Sequence, residues 1–145
     1  MLFLDANVIV SGIAGPTQGP SALIVATIRL GGLTAGTVEN AMDEARRHLL
    51  ELFNRNRLKI SPAETDRQLA ALREAEAFTV HPWIAAGRDV WPENPKDAYL
   101  LAAIEEHAPT WLLTGDDRLL AIGSYRGTKI LTPRAFLDEI EADDR

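Results

Sequence analysis

Four acidic residues of this 145-residue sequence stand where a carboxylate could do chemistry. Asp5 ends the first apolar run, and Asp116 follows a later one. Asp97 opens a predicted helix, and Glu44 lies beside the apolar stripe of another. Carboxylate oxygens without His or Cys partners suit hard cations such as Mg²⁺ and Mn²⁺. Such ions activate water and stabilise charge on a phosphoryl centre, so the set indicates metal-assisted chemistry at phosphorus.

Each of these acids also has a simpler interpretation. Asp5 could cap its own turn, and a carboxylate at the position of Asp97 complements the dipole of the helix that follows it. Asp116 or its neighbour Asp117 could be an N-cap, and Glu44 could be a solvated helical acid. The set is more informative than its members, because acids gathered at one edge repel one another and raise their pKa values unless a cation neutralises them.

Short apolar segments alternate with segments of helical periodicity, and this alternation indicates how the acids are positioned. Strands are predicted within residues 1–10 and at residues 33–35, 78–80, 110–114 and 129–131. Helices are predicted at residues 22–30, at 38–53 with Thr37 as N-cap, and at 63–75, 96–107, 116–122 and 134–140, with loops at 12–20 and 82–95.

Strands that alternate with helices favour a parallel sheet covered on both faces, within a single domain over residues 1–145. In such sheets ligands bind outside the carboxyl ends of the strands. Asp5 and Asp116 both follow predicted strands, so we expect both acids at the same edge.

Composition limits the classes of function. The sequence has no cysteine, which excludes disulfides, thiolate metal sites and cysteine nucleophiles and fits a reducing cytoplasm. We expect neither a membrane span nor a secretory signal, and therefore a cytoplasmic protein. The net charge of −6 argues against non-specific binding to phosphates, although carboxylates that act as cation ligands weaken this objection.

Some basic and aromatic residues also have two interpretations. A basic stretch made of Arg46, Arg47, Arg55, Arg57 and Lys59 could be a solvated helix end or a surface that contacts RNA phosphates. Trp83 and Trp91 lie in the predicted 82–95 loop, where they could stack on unpaired bases, although a packing or dimer role is favoured. His48, His81 and His107 lack metal-ligand spacing, and we expect them at the surface or as caps.

Four segments of the chain, in order, resemble motifs of the PIN-domain nucleases. Residues 4–8 (LDANV) resemble the opening motif of that family, residues 94–102 (NPKDAYLLA) its third acidic motif, and residues 114–120 (TGDDRLL) its fourth-strand motif. Residues 130–137 (ILTPRAFL) resemble the end of a subgroup assigned to the toxins of type II toxin–antitoxin pairs. The order and spacing match over essentially the whole chain.

This resemblance implies a three-layer α/β/α fold with a central parallel sheet and a Mg²⁺- or Mn²⁺-dependent endoribonuclease. It assigns catalytic and metal-binding roles to Asp5, Glu44, Asp97 and Asp116. Asn7 and Thr114 would support these acids by hydrogen bonding. It further implies an RNA substrate, a homodimer, and an antitoxin protein that covers the acidic cleft.

The sequence departs from the family pattern at several positions. Asn94 stands where the family often has an acid, and Arg118 stands where an Asp is common, with Asp117 one place earlier as a substitute. The second motif is the least specific match, so Asp43 or Glu39 could replace Glu44 if the helix is rotated.

Two other functions therefore stay open. One is a PIN fold with a weakened site that binds RNA or a protein without cutting. The other is an aspartyl-phosphate phosphatase, which also has an Asp after its first strand but normally needs a second acid where this chain has Asn7.

Overall fold

Short apolar segments form the centre of one sheet in the computed structural model, which describes residues 1–144. The strands are β1 (Leu2–Leu4), β2 (Ala35–Val38), β3 (Phe78–His81), β4 (Trp111–Leu113), β5 (Ser124–Tyr125) and β6 (Thr128–Leu131). Their order across the sheet is β3-β2-β1-β4-β6-β5. All neighbouring pairs are parallel except β5 and β6, which form an antiparallel edge.

Helices follow most of the strands and complete a three-layer α/β/α sandwich. They are α1 (Ala6–Ala14), α2 (Pro20–Arg29), α3 (Glu39–Asn54), α4 (Pro62–Glu74), α5 (Ala98–His107), α6 (Asp117–Ile122) and α7 (Pro133–Asp143). Strands buried on both faces explain why β1 and β4 read as continuous apolar runs rather than as alternating ones. The expected fold class is confirmed. No helix within residues 1–144 combines the length and the apolar character needed to cross a bilayer.

The first connection differs from the sequence-based expectation. The structure has helix α1 where we predicted a continued buried segment to residue 10 and then a loop at residues 12–20. Val8 and Ile9 are buried on α1, and Asp5 caps the helix by accepting a hydrogen bond from the Ala6 backbone N–H at 2.6 Å. A run of three apolar residues does not distinguish a strand from a buried helix, so this segment was assigned wrongly.

The predicted N-cap of α3 is also wrong. Thr37 lies inside β2 and donates its hydroxyl to the backbone carbonyl of Leu4 at 2.7 Å. The strand therefore occupies residues 35–38 rather than 33–35, and α3 starts directly after it with Val38 at the cap. This shift brings the first turns of α3 to the carboxyl end of β2, next to the end of β1.

The antiparallel hairpin of β5 and β6 was not predicted. Its two turn residues, Arg126 and Gly127, have φ values of 48° and 85°. Positive φ at both positions matches the tight two-residue turn that suits the twist of a hairpin. Ser124 and Tyr125 pair with Lys129 and Thr128, and so add a short strand at the edge of the sheet.

Two of the three histidines are not simple surface or capping residues. The rings of His81 and His107 stack at 4.0 Å, and both contact Phe3 at 5.6 Å. Burial first, and the neighbouring His107 second, lower the pKa of His81. His48 is exposed, as expected.

Gly36 leaves the room that β2 needs in the middle of the sheet. A Cβ at this position would lie 2.9 Å from the Thr79 carbonyl oxygen of β3 and 3.2 Å from the Phe3 ring. We expect Gly36→Ala to lower the free energy of unfolding by about 1–3 kcal/mol in urea denaturation, because the strand must shift. Gly87→Ala is the matched control, since its Cβ would meet nothing closer than 3.4 Å. Equal stability of the two variants would contradict this account of Gly36.

Candidate functional site

Asp5 lies at the carboxyl end of β1 and is almost fully buried, with 5% of its surface exposed. Its Oδ1 accepts the Ala6 backbone N–H, so the capping interpretation is correct for one oxygen. Its Oδ2 accepts the Thr114 hydroxyl at 2.7 Å and the Asn7 side-chain amide at 3.1 Å. The carboxylate is thus held from both sides in a fixed orientation.

Asn7 and Thr114 connect the end of β1 to the end of β4. Asn7 Oδ1 accepts the Gly115 backbone N–H at 2.9 Å, and Thr114 Oγ1 accepts the Asp116 backbone N–H at 3.0 Å. The Asp5 backbone N–H also donates to the carbonyl of Leu113 at 2.9 Å. The contacts expected of Asn7 and Thr114 with Asp5 are present.

Burial raises the pKa of Asp5 from 3.8 to about 7. The hydrogen bond from Thr114 opposes this effect, whereas the negative charges of Glu44 and Asp97 add to it. Without a nearby cation, the carboxyl group therefore titrates close to neutral pH. A cation at this edge would favour the ionised form.

Asp97 immediately precedes α5, but its side chain makes no capping hydrogen bond. Its Oδ2 instead accepts a hydrogen bond from the Arg118 guanidinium at 2.7 Å. Burial nevertheless raises the pKa of Asp97: Arg118 opposes the rise, and the charges of Glu44 and Asp116 add to it. Asp97 does lie at the N-terminus of α5, as the helix-dipole interpretation has it, and its carboxylate contacts Arg118 in addition.

Asp116 combines a structural and an electrostatic role. Its Oδ1 caps α6 by accepting the Arg118 backbone N–H at 2.9 Å, and its Oδ2 accepts the guanidinium of the same residue at 2.9 Å. These hydrogen bonds hold the pKa of Asp116 below its usual value, in contrast to that of Asp97. Arg118 also donates to the side-chain oxygen of Asn94. Arg118 and Asn94, the two residues that depart from the family pattern, are therefore in contact, and the guanidinium of Arg118 also bridges two of the four acids.

Glu44 is half-buried on α3 and accepts the Tyr99 hydroxyl at 2.7 Å. Burial and the charge of Asp5 raise the pKa of Tyr99, so its hydroxyl stays a donor. The two alternatives to Glu44 lie elsewhere on the helix. Glu39 forms an ion pair with Arg73 at 2.6 Å, and Asp43 lines a separate surface depression beside Arg73. The rotation of α3 therefore presents Glu44 to this edge of the sheet.

The four acids consequently share one edge of the sheet rather than facing separate surfaces. The charge of Glu44 acts on Asp5 and Asp97, and that of Asp116 acts on Asp97. Asp117, the suggested substitute, is exposed in the first turn of α6 and has no hydrogen bond to these acids within residues 1–144. The role of the four acids as metal ligands stays a prediction.

A cavity of about 780 Å³ opens beside these acids. Its lining includes Glu44, Asp97, Tyr99 and Arg118, together with Asn40, Arg47, Trp83 and Lys96. The cavity thus joins the acidic edge to basic and aromatic side chains on α3 and on the loop that follows β3.

The predicted basic stretch does not act as one surface. Arg47 lines the cavity, whereas Arg46 pairs with Asp66 at 2.9 Å beside the other depression. Arg55, Arg57 and Lys59 are exposed at and beyond the end of α3, outside the cavity lining. Only Arg47 is therefore placed next to the acids.

Sequence reasoning missed three residues of this site. Tyr99 and Lys96 lie inside the segment that was selected for Asp97, so their proximity was available from the motif. Asn40 is four residues before Glu44 and so lies on the same helix face, but its contact with the loop depends on tertiary structure.

The donor set of the site fits a hard divalent cation, since carboxylate and amide oxygens surround the acidic edge. Within residues 1–144, no three acidic or histidine side chains form a ready-made metal site in the present arrangement. Arg118 instead occupies oxygens of Asp97 and Asp116, and a cation that takes these oxygens has to displace it.

Comparisons with known proteins add no assignment. No family model matches the sequence, and no curated protein is significantly similar to it. The resemblance to the PIN-domain nucleases therefore depends on the four motif segments of the sequence alone.

Proposed function

We propose that this chain is a Mg²⁺- or Mn²⁺-dependent endoribonuclease of the PIN-domain type. The observation that carries the proposal is the placement of four acids that are distant in the sequence, Asp5, Glu44, Asp97 and Asp116, at the same carboxyl edge of the sheet. Mutual repulsion contributes to the raised pKa values of Asp5 and Asp97. A divalent cation would relieve that repulsion, and such an edge is where α/β sheets bind their ligands.

The residues of the chain have distinct roles in this proposal. Asp5 would be one ligand of the ion, because Thr114 and Asn7 hold its Oδ2 in a fixed orientation and its carboxylate is almost fully buried. Tyr99 orients Glu44 through its hydroxyl. The bound ion would activate water for attack on phosphorus and stabilise charge on the phosphate. Arg118, once displaced from Asp97, is placed to contact a substrate phosphate in the same cavity.

The pairing of Arg118 with Asp97 and Asp116 also favours a second candidate, a PIN fold with a weakened site that binds RNA or a protein. Its guanidinium already neutralises part of the charge that a metal would neutralise. Mn²⁺ titration by calorimetry separates the two candidates. Clear Mn²⁺ binding that Asp97→Asn removes would contradict the weakened site.

The partners follow from the same resemblance. We propose a cytoplasmic toxin of a toxin–antitoxin pair that forms a homodimer and whose antitoxin protein covers the acidic cleft. A gene for a small protein adjacent to this one would support the pairing, and light scattering of the purified protein would measure the oligomer.

The direct test is cleavage of RNA by the purified protein. We expect cleavage with Mn²⁺ or Mg²⁺ that EDTA abolishes and that Asp97→Asn lowers more than about 100-fold, since even residues that only support metal ligands cost 10–100-fold. Glu76→Gln is the matched control, because it removes one exposed acid just before β3, at the opposite edge of the sheet. Cleavage that persists in EDTA, or that Asp97→Asn leaves intact, would overturn the proposal.

A further inference from the structure

Trp83 is an exposed aromatic side chain in the wall of the cavity that contains Glu44 and Asp97. It is 59% exposed, whereas Trp91 in the same loop is buried in the core at 9%. The packing role expected for both tryptophans therefore applies to Trp91. An exposed apolar residue is common on protein surfaces, so Trp83 needs further evidence before a role is assigned.

That evidence is the way the neighbouring backbone is fixed. The side-chain amide of Asn40 donates to the Ile84 carbonyl at 2.9 Å and accepts the Ile84 N–H at 2.9 Å. Asn40 is buried on α3, one turn before Glu44. The residue next to Trp83 is thus attached to the helix that carries the acid. An exposed ring on a fixed backbone loses little conformational entropy when it binds a ligand.

Two cations, Arg47 and Lys96, and a further acid, Glu93, also line the cavity. Arg47 lies on the same face of α3 as Glu44, two helical turns after Asn40. Lys96 directly precedes Asp97. No salt bridge within residues 1–144 involves Arg47 or Lys96. Both charges are therefore available to phosphate groups.

We infer that Trp83 is a specificity-determining residue of this site: one unpaired base of the RNA stacks on its indole ring, and the flanking phosphates contact Arg47 and Lys96. The inference rests on the proposed function and deepens it, because it names the residues that select the RNA. A base inside a duplex has both faces covered by its neighbours, so an exposed indole ring selects an unpaired base. The volume of about 780 Å³ lies within the range of small-ligand sites, roughly 300–1,000 Å³.

Binding is measured by fluorescence anisotropy with a labelled single-stranded RNA, with Mg²⁺ present and in an Asp97→Asn background that prevents cleavage. We expect Trp83→Ala to weaken binding about tenfold and Trp83→Phe to retain most of it, because each stacked base contributes on the order of a tenfold change in affinity. Leu30→Ala is the matched control, as it truncates another exposed apolar residue, on the connection after α2. The duplex of the same sequence should bind more weakly and not respond to Trp83→Ala.

Arg47→Gln gives a second, independent readout. Loss of one phosphate contact should lower the slope of log affinity against log salt by about 0.7 for a single strand. In the cleaving protein, Trp83→Ala should raise KM about tenfold and leave kcat nearly unchanged.

These results distinguish the two proposals. RNA binding that depends on Trp83, in a protein that does not cleave RNA, would support the inference and defeat the nuclease. Cleavage with the same KM and the same RNA affinity in Trp83→Ala would support the nuclease and overturn the inference. A wild-type protein that binds no single-stranded RNA would also overturn it, and would leave the cavity wall to a different occupant such as a protein partner.

Discussion

Replacing Asp5 with Asn should lower metal-dependent RNA cleavage more than about 100-fold while the fold persists. The buried carboxylate would lose its charge, and with it the attraction for a cation, at the centre of the acidic edge. The fold should persist because the Asn side-chain oxygen can still accept the Ala6 N–H that caps α1. Initial rates at saturating Mn²⁺, together with circular dichroism, measure both parts of the prediction.

Asn7→Ala is the graded companion of this experiment. Asn7 supports Asp5 through the 3.1 Å hydrogen bond to its Oδ2 and also accepts the Gly115 backbone N–H, so its loss should cost about 10–100-fold in rate. The comparison tests the role of Asp5, because Asp5→Asn should lose more activity than Asn7→Ala. Full activity of Asp5→Asn would remove Asp5 from the mechanism, and a larger loss in Asn7→Ala would mean that the carboxylate is not the functional group.

Most of the fold could be predicted from the sequence, because the capping residues that predict a helix start also cap a helix in the structure at most positions. Ser61 before Pro62 predicts a helix start, and the Ser61 hydroxyl accepts the Glu64 N–H at 3.1 Å. Where local chemistry was ambiguous, the prediction failed. Thr37 has the side chain of an N-cap, but its hydroxyl bonds to the neighbouring strand instead, since β2 extends further than its few apolar residues suggested.

The residues of the site could be predicted from the sequence to a similar degree. Asp5 and Asp116 could be placed because each follows a strand, and neighbouring parallel strands end at the same edge. Glu44 could be proposed only alongside Asp43 and Glu39, because the rotation of α3 depends on how the whole helix packs.

Two features of the site could not be derived from sequence. The bridge from Arg118 to Asp97 and Asp116 is set by one long side chain between two helix starts that the chain brings together. The loop next to Trp83 is likewise attached to α3 by Asn40, whose hydrogen-bond partner Ile84 is 44 positions away along the chain. Motif spacing carries information on neither contact.

The pH dependence of the free energy of unfolding should give a second measure of the Asp5 carboxylate. Because the pKa of Asp5 is raised from 3.8 to about 7, the folded protein holds a proton that the unfolded chain has released between these values. Stability from this group is present below about pH 4 and is lost as pH rises towards 7. Asp5→Asn lacks this contribution to stability, while groups such as His81 and Asp116 contribute in both proteins.

We therefore expect Asp5→Asn to gain stability relative to wild type as pH rises in EDTA. The difference in free energy of unfolding should grow by roughly 3 kcal/mol between pH 5 and pH 8, at about 1.4 kcal/mol per pH unit up to the pKa of Asp5. Urea denaturation at several pH values measures it. A constant difference would mean that Asp5 is ionised at little cost, and that the edge needs no cation to hold its charge.

Mn²⁺ should offset that advantage at pH 8. An ion that binds only the folded state stabilises it by RT ln(1 + [L]/Kd), about 2.7 kcal/mol at a concentration 100 times Kd. Wild type would gain this stabilisation and Asp5→Asn would not, so the difference between the two proteins should return towards its value at pH 5 as Mn²⁺ is added. If both proteins respond equally to Mn²⁺, the ion binds elsewhere, and the buried charge of Asp5 serves the fold without a metal.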